Sequence, residues 1–476
     1  MSSAHKLSFN VGIATLTRMI MGVLGVAVIV LLTRNLGPGG FGNYDAVLAY
    51  VFIFIAFADF GLYSIFLREI SRPNADEEYI GSNIFTIRLF VSSAFALIAV
   101  GVSYLLPYDQ IIRQGIMIGV GFLVLSSFSQ FFMGVFQKHL RLYLVSIADV
   151  IAKVVQLGLI ILFVQLHISL LGFVAISVLA ELVHFLIIFI MSRKIIKIRL
   201  RFDFDYWKKT LRISLPVAAS IVLTLFYFKI DTVLLSLMKP AEDVGIYSAA
   251  YRILEQSIFF PAMYLGLIMP MLSENFMNKE KFSEIFNRTF NHLVIFASLA
   301  VVYLFVLSGE IINLIGGVEF ANSVGVLKIL SFSVGIIFLG NLGGNSLIAL
   351  DLQKKGMWIY FSGAVLNFIT NIIFIPKYSY LGAAWTTLAT ESFVTVIMFI
   401  VIFKHYNTNL SLSVAKKAVI SGVLAALILS PIKDYTLFIT LPAGAIIYFA
   451  FMYLFKGVTK EEIKWIFTRK KLSELL

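Results

Sequence analysis

Residues 193–212 read RKIIKIRLRFDFDYWKKTLR, and Arg193, Lys194, Lys197, Arg199, Arg201, Lys208, Lys209 and Arg212 load this short stretch with positive charge. Long apolar segments flank it on both sides. Lys and Arg are costly to move across a bilayer, so a basic loop between two apolar spans is expected to stay cytoplasmic. The stretch therefore sets the orientation of the chain and divides it into two halves.

Composition agrees with a lipid-embedded fold. The chain has 476 residues, of which 60% are hydrophobic and 13% charged, and its mean hydropathy is +0.94. Soluble domains carry about 25% charged residues. A water-soluble fold could not hide this much apolar surface. The net charge of +12 lies in loops between apolar segments, which points to cytoplasmic loops and anionic lipid headgroups as partners and not to nucleic acid. There is no cysteine, which removes disulfides, thiol catalysis and Cys-based metal sites. The first residues lead straight into an apolar run, with no small-residue cleavage site expected of a signal peptide.

A span needs about 20 mainly apolar residues, and by that measure about fourteen helices are expected. They fall near 10–33, 43–66, 83–106, 112–136, 143–166, 169–191, 211–238, 245–272, 290–309, 325–350, 357–375, 380–403, 413–430 and 435–455. With both termini cytoplasmic, the inner loops collect Arg68, Arg72, Lys138, Arg141, the connector, Lys279, Lys281, Lys354, Lys355 and Lys404, while the outer loops hold few cations. That bias is the expected one. Ser273–Phe290 and the tail from Lys456 space their apolar residues on one helical face and are expected to lie on the inner membrane surface.

The halves carry matching signals. Gly42-Asn43-Tyr44 opens the second span and Gly245-Ile246-Tyr247 the eighth, each after a loop containing a proline, Pro38 or Pro240. Ser169-Leu170-Leu171-Gly172 opens the sixth span and Ser379-Tyr380-Leu381-Gly382 the twelfth, each followed by an acid, Glu181 or Glu391. Two matches at similar separation argue for a duplicated six-helix unit. An even number of spans per unit makes the repeats parallel. The expected plan is an N-terminal lobe over 1–192, the connector 193–212, a C-terminal lobe over 211–404, two further helices within 405–456 and an amphipathic tail, 457–476.

No soluble-enzyme constellation, nucleotide-binding loop or metal-ligand motif is present, so no catalytic or metal residues are assigned and the protein is not expected to be an enzyme. The informative residues are charges inside spans, where they are expensive and usually face a partner or an aqueous cavity. Asp149 with Lys153 and Arg252 with Glu255 have spacings that allow pairing along one helix. His184, three residues after Glu181, reads as a satisfied pair or a proton relay. Arg18, Arg88, Asp59 and Glu391 have no opposite charge within a helical turn. Lys229 and Asp231 face apart and need partners elsewhere. For the buried acids, pairing with an arginine on a neighbouring helix and a role in cation capture stay open as alternatives. Pro216, Pro261 and Pro270 permit kinks. Gly340 to Ser346 permits close helix contact or local unwinding.

Four stretches carry a family resemblance. They are Arg34–Pro38 with Phe41–Tyr44; Ala58–Leu62 with Arg68-Glu69; Asp231–Leu235 with Val244–Tyr247 and Ala250–Arg252; and Asn367, Asn371, Ile375-Pro376 and Gly382–Trp385 with Glu391. In order and on this span pattern, the chain resembles the polysaccharide-transport branch of the multidrug/oligosaccharidyl-lipid/polysaccharide exporter superfamily, which includes the O-antigen and lipid-linked oligosaccharide flippases. The resemblance implies an all-α membrane protein with two six-helix lobes in a V around a central cavity, working by alternating access in the cytoplasmic membrane. It implies a cationic cavity for a diphosphate-linked glycan, with Arg18, Arg88, Lys229 and Arg252 as candidates, since a diphosphate in a low-dielectric cavity needs paired cations. With no ATP-binding motif and no bound cofactor expected, a Na+ or H+ gradient or the membrane potential would drive transport, and Asp59, Glu181, Asp231 and Glu391 are the acids to test. Other glycan-assembly proteins are the partners this implies. Two rivals are a multidrug exporter of the same fold, which would favour an acid-rich aromatic cavity, and a membrane glycosyltransferase or polymerase, which would need larger loops than this chain has.

Overall fold

The computed structural model describes residues 3–166, 168–406, 410–432 and 435–458, with side chains described from Thr17 onward apart from Arg18, Ser220, 224–226 and Tyr406. Among the described residues the chain is helical, with no strand. In hydrocarbon every backbone polar group must be satisfied within the protein, and a helix does this whatever the β-propensity of its Val, Ile and Phe.

The helices are α1 (Ser3–Asp59), α2 (Leu62–Ile70), α3 (Glu77–Leu105), α4 (Gln110–Lys138), α5 (Leu142–Gln165), α6 (Leu170–Ser192), α7 (Phe204–Met238), α8 (Ala241–Ser257), α9 (Phe259–Glu274), α10 (Lys279–Val306), α11 (Ser308–Gly316), α12 (Ser323–Ala349), α13 (Gln353–Tyr406), α14 (Ser413–Leu429) and α15 (Leu437–Leu454). Among the described residues eleven lengths, with α2 joined to α1 and α8 joined to α9, are long and apolar enough to cross a bilayer, or twelve with α7, whose two arms meet at 57°. Two of these, α1 and α13, break once, at Gly37 (φ 63°) and Ser379 (φ 49°). Each break leaves two lengths near the ~20 residues a span needs, so the described residues are consistent with the expected count of about fourteen. At Gly37 the left-handed backbone suits glycine, and Pro38 after it disfavours a helical residue in front of it.

Asp76, Asp203 and Asn278 cap α3, α7 and α10: their side chains accept from the amides of Tyr79 (2.9 Å), Tyr206 (3.0 Å) and Lys281 (3.1 Å). Each bond satisfies a donor that the first turn of a helix leaves open.

The chain divides into two compact units, Met1–Gly245 and Ile246–Leu476. In the first, α4 packs against α1, α3 and α6, and α7 packs along α1. The helix after the connector is thus part of the first unit, where the repeat argument had put it with the second half. The core of the first unit is rich in phenylalanine: Phe66 stacks on Phe131 at 4.4 Å and Phe85 on Phe128 at 5.0 Å, with Phe132 and Phe136 buried beside them. In the second unit α12 is central, packed against α9, α10 and α13, while α14 and α15 lie beside α10.

The duplication is visible inside each unit. The Tyr44 hydroxyl shares a 2.9 Å hydrogen bond with Ser177, and the Tyr247 hydroxyl a 3.1 Å bond with Thr387. Each tyrosine stands two residues after its glycine, Gly42 or Gly245. Each partner stands five residues after Gly172 or Gly382. All four side chains are buried. The sequence matches therefore mark equivalent contacts in the two units.

Several expectations change. The second span does not run unbroken over 43–66: it stops at Asp59, and Phe60 (φ 48°) and Gly61 (φ 70°) turn the chain into α2. Gly61 is required there because α7 seats on it: a Cβ would lie 2.9 Å from both the Ser214 carbonyl and the Ala218 amide. Ser273–Phe290 is not a separate surface helix. From Lys279 onward it forms the first turns of α10, and its apolar face is buried, with Phe286 packed edge-on to Phe399. The glycine run 340–344 stays helical and serves close packing, Gly340 against Thr395 and Gly343 against Met398. The amphipathic tail lies outside the described residues from position 459.

Candidate functional site

Asp59 belongs to a deep polar network of the first unit. It sits at the last turn of α1, held in place by the Phe60-Gly61 break, and is buried. Arg88 of α3 is fully buried. One guanidinium nitrogen pairs with the Asp59 carboxylate, and the other donates to the Ser127 carbonyl of α4 at 2.6 Å and to its hydroxyl at 3.3 Å. Arg88 Nε is buried with no hydrogen-bond partner. The Tyr63 hydroxyl of α2 donates to Gln137 of α4. One arginine therefore ties α1, α3 and α4 together at a single point. Two candidates assigned to different tasks, the cation Arg88 and the acid Asp59, are partners of each other.

The second network lies between α4, α5 and α6. Ser129 donates to Glu181 at 2.6 Å. His184 stands between two carboxylates, Nδ1 3.4 Å from Glu181 and Nε2 3.2 Å from Asp149. Lys153 donates to Gln156 at 2.9 Å. The arrangement sets a histidine within ion-pair distance of Glu181 on its own helix and Asp149 on α5, with Nε2 making no hydrogen bond, and an imidazole so placed can hold and release a proton.

The other candidates are placed separately. Lys229 of α7 lies over the Phe52 ring at 5.6 Å, a cation–π geometry. Asp231, one face away, is buried. In the second unit Arg252 pairs with Glu255 at 3.3 Å, as the spacing suggested. Glu391 is buried in the second half of α13, within electrostatic range of Tyr360. Arg18's side chain lies outside the described residues. Sequence reading missed Ser127, Ser129 and the Asp149–His184 pairing. The signal for the serines was Ser126-Ser127-Phe128-Ser129, three hydroxyls in the middle of an apolar helix.

The basic connector is docked, not loose. The Arg199 amide donates to Ser82 at 3.1 Å and the Arg201 amide to Thr86 at 3.0 Å, so this segment runs along α3. The Arg201 guanidinium lies over the Tyr79 ring at 4.4 Å, and the Trp207 indole donates to Asn83 at 3.2 Å. Asp203 closes this clasp. The Tyr79 hydroxyl and the Tyr206 amide both donate to it and hold its carboxyl below the usual carboxylate range. A depressed folded value means that this contribution is present above the unfolded pKa and is lost as pH falls through the lowered folded one. Asp203→Asn is expected to speed hydrogen exchange at the Arg199 and Arg201 amides at neutral pH, whereas the wild type loosens only below about pH 4, after correction for intrinsic exchange. Equal exchange in both proteins would remove the clasp.

Residues 7–276 match the family model described as polysaccharide biosynthesis protein, and residues 216–373 match that described as MatE. The chain is 26% identical over 212 residues to the capsular polysaccharide biosynthesis protein CapF of Staphylococcus aureus, covering 44% of this chain and 53% of the relative. It is 24% identical over 174 residues to the probable low-salt glycan biosynthesis flippase Agl15 of Haloferax volcanii, covering 36% and 37%. The matched stretch thus spans about half of one curated relative and little more than a third of the other. The fold is similar to that of the lipid II flippase MurJ in an inward closed conformation (TM-score 0.80, 14% identity, 93% of this chain and 98% of that one). It is also similar to an inward-facing multidrug resistance MATE family transporter of the MOP superfamily (TM-score 0.66, 14% identity, 81% and 94%).

Proposed function

This multi-pass membrane protein belongs to the polysaccharide biosynthesis protein family, whose model covers more than half of its length, and from that premise we propose that it is a flippase for a lipid-linked, diphosphate-bearing oligosaccharide. In this reading it is a transporter and not an enzyme. It lies in the cytoplasmic membrane with both termini inside, and it works by alternating access. The observation that carries the proposal is the duplicated architecture, in which each unit is fastened by an equivalent buried tyrosine–hydroxyl bond. Duplicated bundles in parallel orientation suit a carrier that moves one repeat against the other.

Arg88 is committed to Asp59 and is set aside as a substrate contact. Arg18, Lys229 and Arg252 are the cations assigned to the diphosphate. A guanidinium meets phosphate through charge-assisted, often bidentate hydrogen bonds, which a methyl group cannot replace. The coupling ion in this proposal is a proton carried by the Glu181–His184–Asp149 network, with Asp231 and Glu391 as further acids to test. The test is movement of a fluorescent lipid-linked sugar across proteoliposomes. Arg18→Ala and Arg252→Ala are expected to slow it at least tenfold, equivalent to about 1.4 kcal/mol. Unchanged movement in both variants would remove the cation assignment. His184→Gln is expected to abolish dependence on an imposed pH gradient while leaving downhill movement. The match of residues 216–373 to MatE supports a second reading, export of organic cations, which the same liposomes separate by substrate.

A further inference from the structure

The second unit carries an open groove of about 670 Å³ framed by α10, α12 and α14. Its wall is apolar, with Val301, Phe305, Phe332, Leu339 and Val423 among its residues and one cation, Lys328, at one end. Along α12 the groove extends from Lys328 to Leu339, eleven residues, or about 16 Å at 1.5 Å per residue. On α10 it reaches from Val306 to Val294, and on α14 from Ser430 to Val419, so it has the same depth on all three helices. That depth is about half of a ~30 Å hydrocarbon core. The groove thus serves one leaflet. Val306, Lys328 and Ser430 stand at the same membrane face, where α10 and α14 end and α12 begins. Under the cytoplasmic-termini topology this is the outer face.

Lys328 is exposed near the start of α12 and rests over the Phe305 ring at 5.6 Å. Among the described residues no carboxylate pairs with it. An ammonium on a lysine this far into an apolar helix snorkels to the headgroup level, where its natural counter-ion is a lipid phosphate. We infer that this groove is a binding site for one anionic glycerophospholipid of the outer leaflet, its phosphate on Lys328 and an acyl chain between α10, α12 and α14. One cation matches a single phosphate charge, whereas a diphosphate calls for several. A chain much longer than one leaflet would extend past Val294 and Leu339, where the lining of the groove ends. The site is separate from the charges assigned to transport, so it stands or falls independently of the flippase reading.

Native mass spectrometry of the full-length protein in detergent tests this, with phosphatidylglycerol and phosphatidylethanolamine of equal chain length added in equal amounts. One phosphatidylglycerol adduct is expected to survive activation that strips phosphatidylethanolamine. Lys328→Gln should weaken that adduct about tenfold, and Lys328→Arg should keep it. Val423→Trp, at an exposed lining position that leaves the core packing alone, should remove it while the thermal midpoint stays unchanged. Equal retention of both lipids would overturn the site, as would insensitivity to Lys328→Gln and Val423→Trp. Displacement of the phospholipid by stoichiometric polyprenyl phosphate would overturn the choice of occupant.

Discussion

Replacing Gly42 with alanine is expected to abolish transport and lower the thermal midpoint sharply, and Gly245→Ala should do the same. A Cβ on Gly42 would overlap the Ala241 carbonyl oxygen outright and lie 2.7 Å from the Gly245 amide nitrogen; one on Gly245 would overlap the Pro38 carbonyl and lie 3.1 Å from the Gly42 nitrogen. The obstacles are backbone atoms, which cannot turn aside as the end of a long side chain can. Two helix starts would have to separate. Overpacking usually costs about 1–3 kcal/mol, and a backbone-on-backbone clash belongs at or above the top of that range. Melting in detergent and the liposome assay are the checks. Wild-type stability and rate in both variants would mean that the crossing of these two helix starts is dispensable. Asn43→Ala, the neighbour of Gly42, is the control and should melt within about 1 kcal/mol of the wild type.

The second large effect concerns Arg88. Removing one partner of a buried ion pair costs about 3–5 kcal/mol, because the survivor is left uncompensated. Arg88→Ala strands Asp59 and also frees the Ser127 carbonyl. Asp59→Ala strands a guanidinium that is already short of one hydrogen bond at Nε. Both are expected to unfold at much lower temperature. The double variant Asp59→Leu/Arg88→Met removes both charges and should recover most of the loss. If Arg88→Ala melts like the wild type but loses transport, the pair is broken during the transport cycle and Arg88 returns to the list of substrate contacts.

These two sites show what sequence can and cannot convey. Spans were readable because lipid leaves the backbone one economical solution, and fourteen apolar lengths mark themselves out. The repeat was readable from the Gly-x-Tyr pairs, yet nothing in the sequence disclosed that Gly42 and Gly245 touch each other, since contact between distant helix starts depends on packing. Arg88 and Asp59 were each legible as charges in apolar helices. Pairing of Asp59 with an arginine on a neighbouring helix was one of the two readings left open, and the structure shows that pair; that Arg88 is the arginine was not legible, because 29 positions separate them and the spacing of one helix says nothing about its neighbour. Phe60-Gly61 was hidden for another reason: the run 43–66 is apolar apart from Asn43, Asp45, Asp59 and Ser64 and holds no proline, and the close seat of α7 on Gly61 depends on packing. In Ser273–Phe290 the periodicity was correct, and only its partner was misjudged. The apolar face meets the phenylalanines of α13 and not a membrane surface.

The connector fastened along α3 has a mechanical consequence. A slack tether would let the chain on either side drift without tension. Here two main-chain bonds and a tyrosine-held aspartate take up the slack over Arg199–Asp203, so the start of α7 and the body of α3 form a single lever, and a push on one end is delivered to the other.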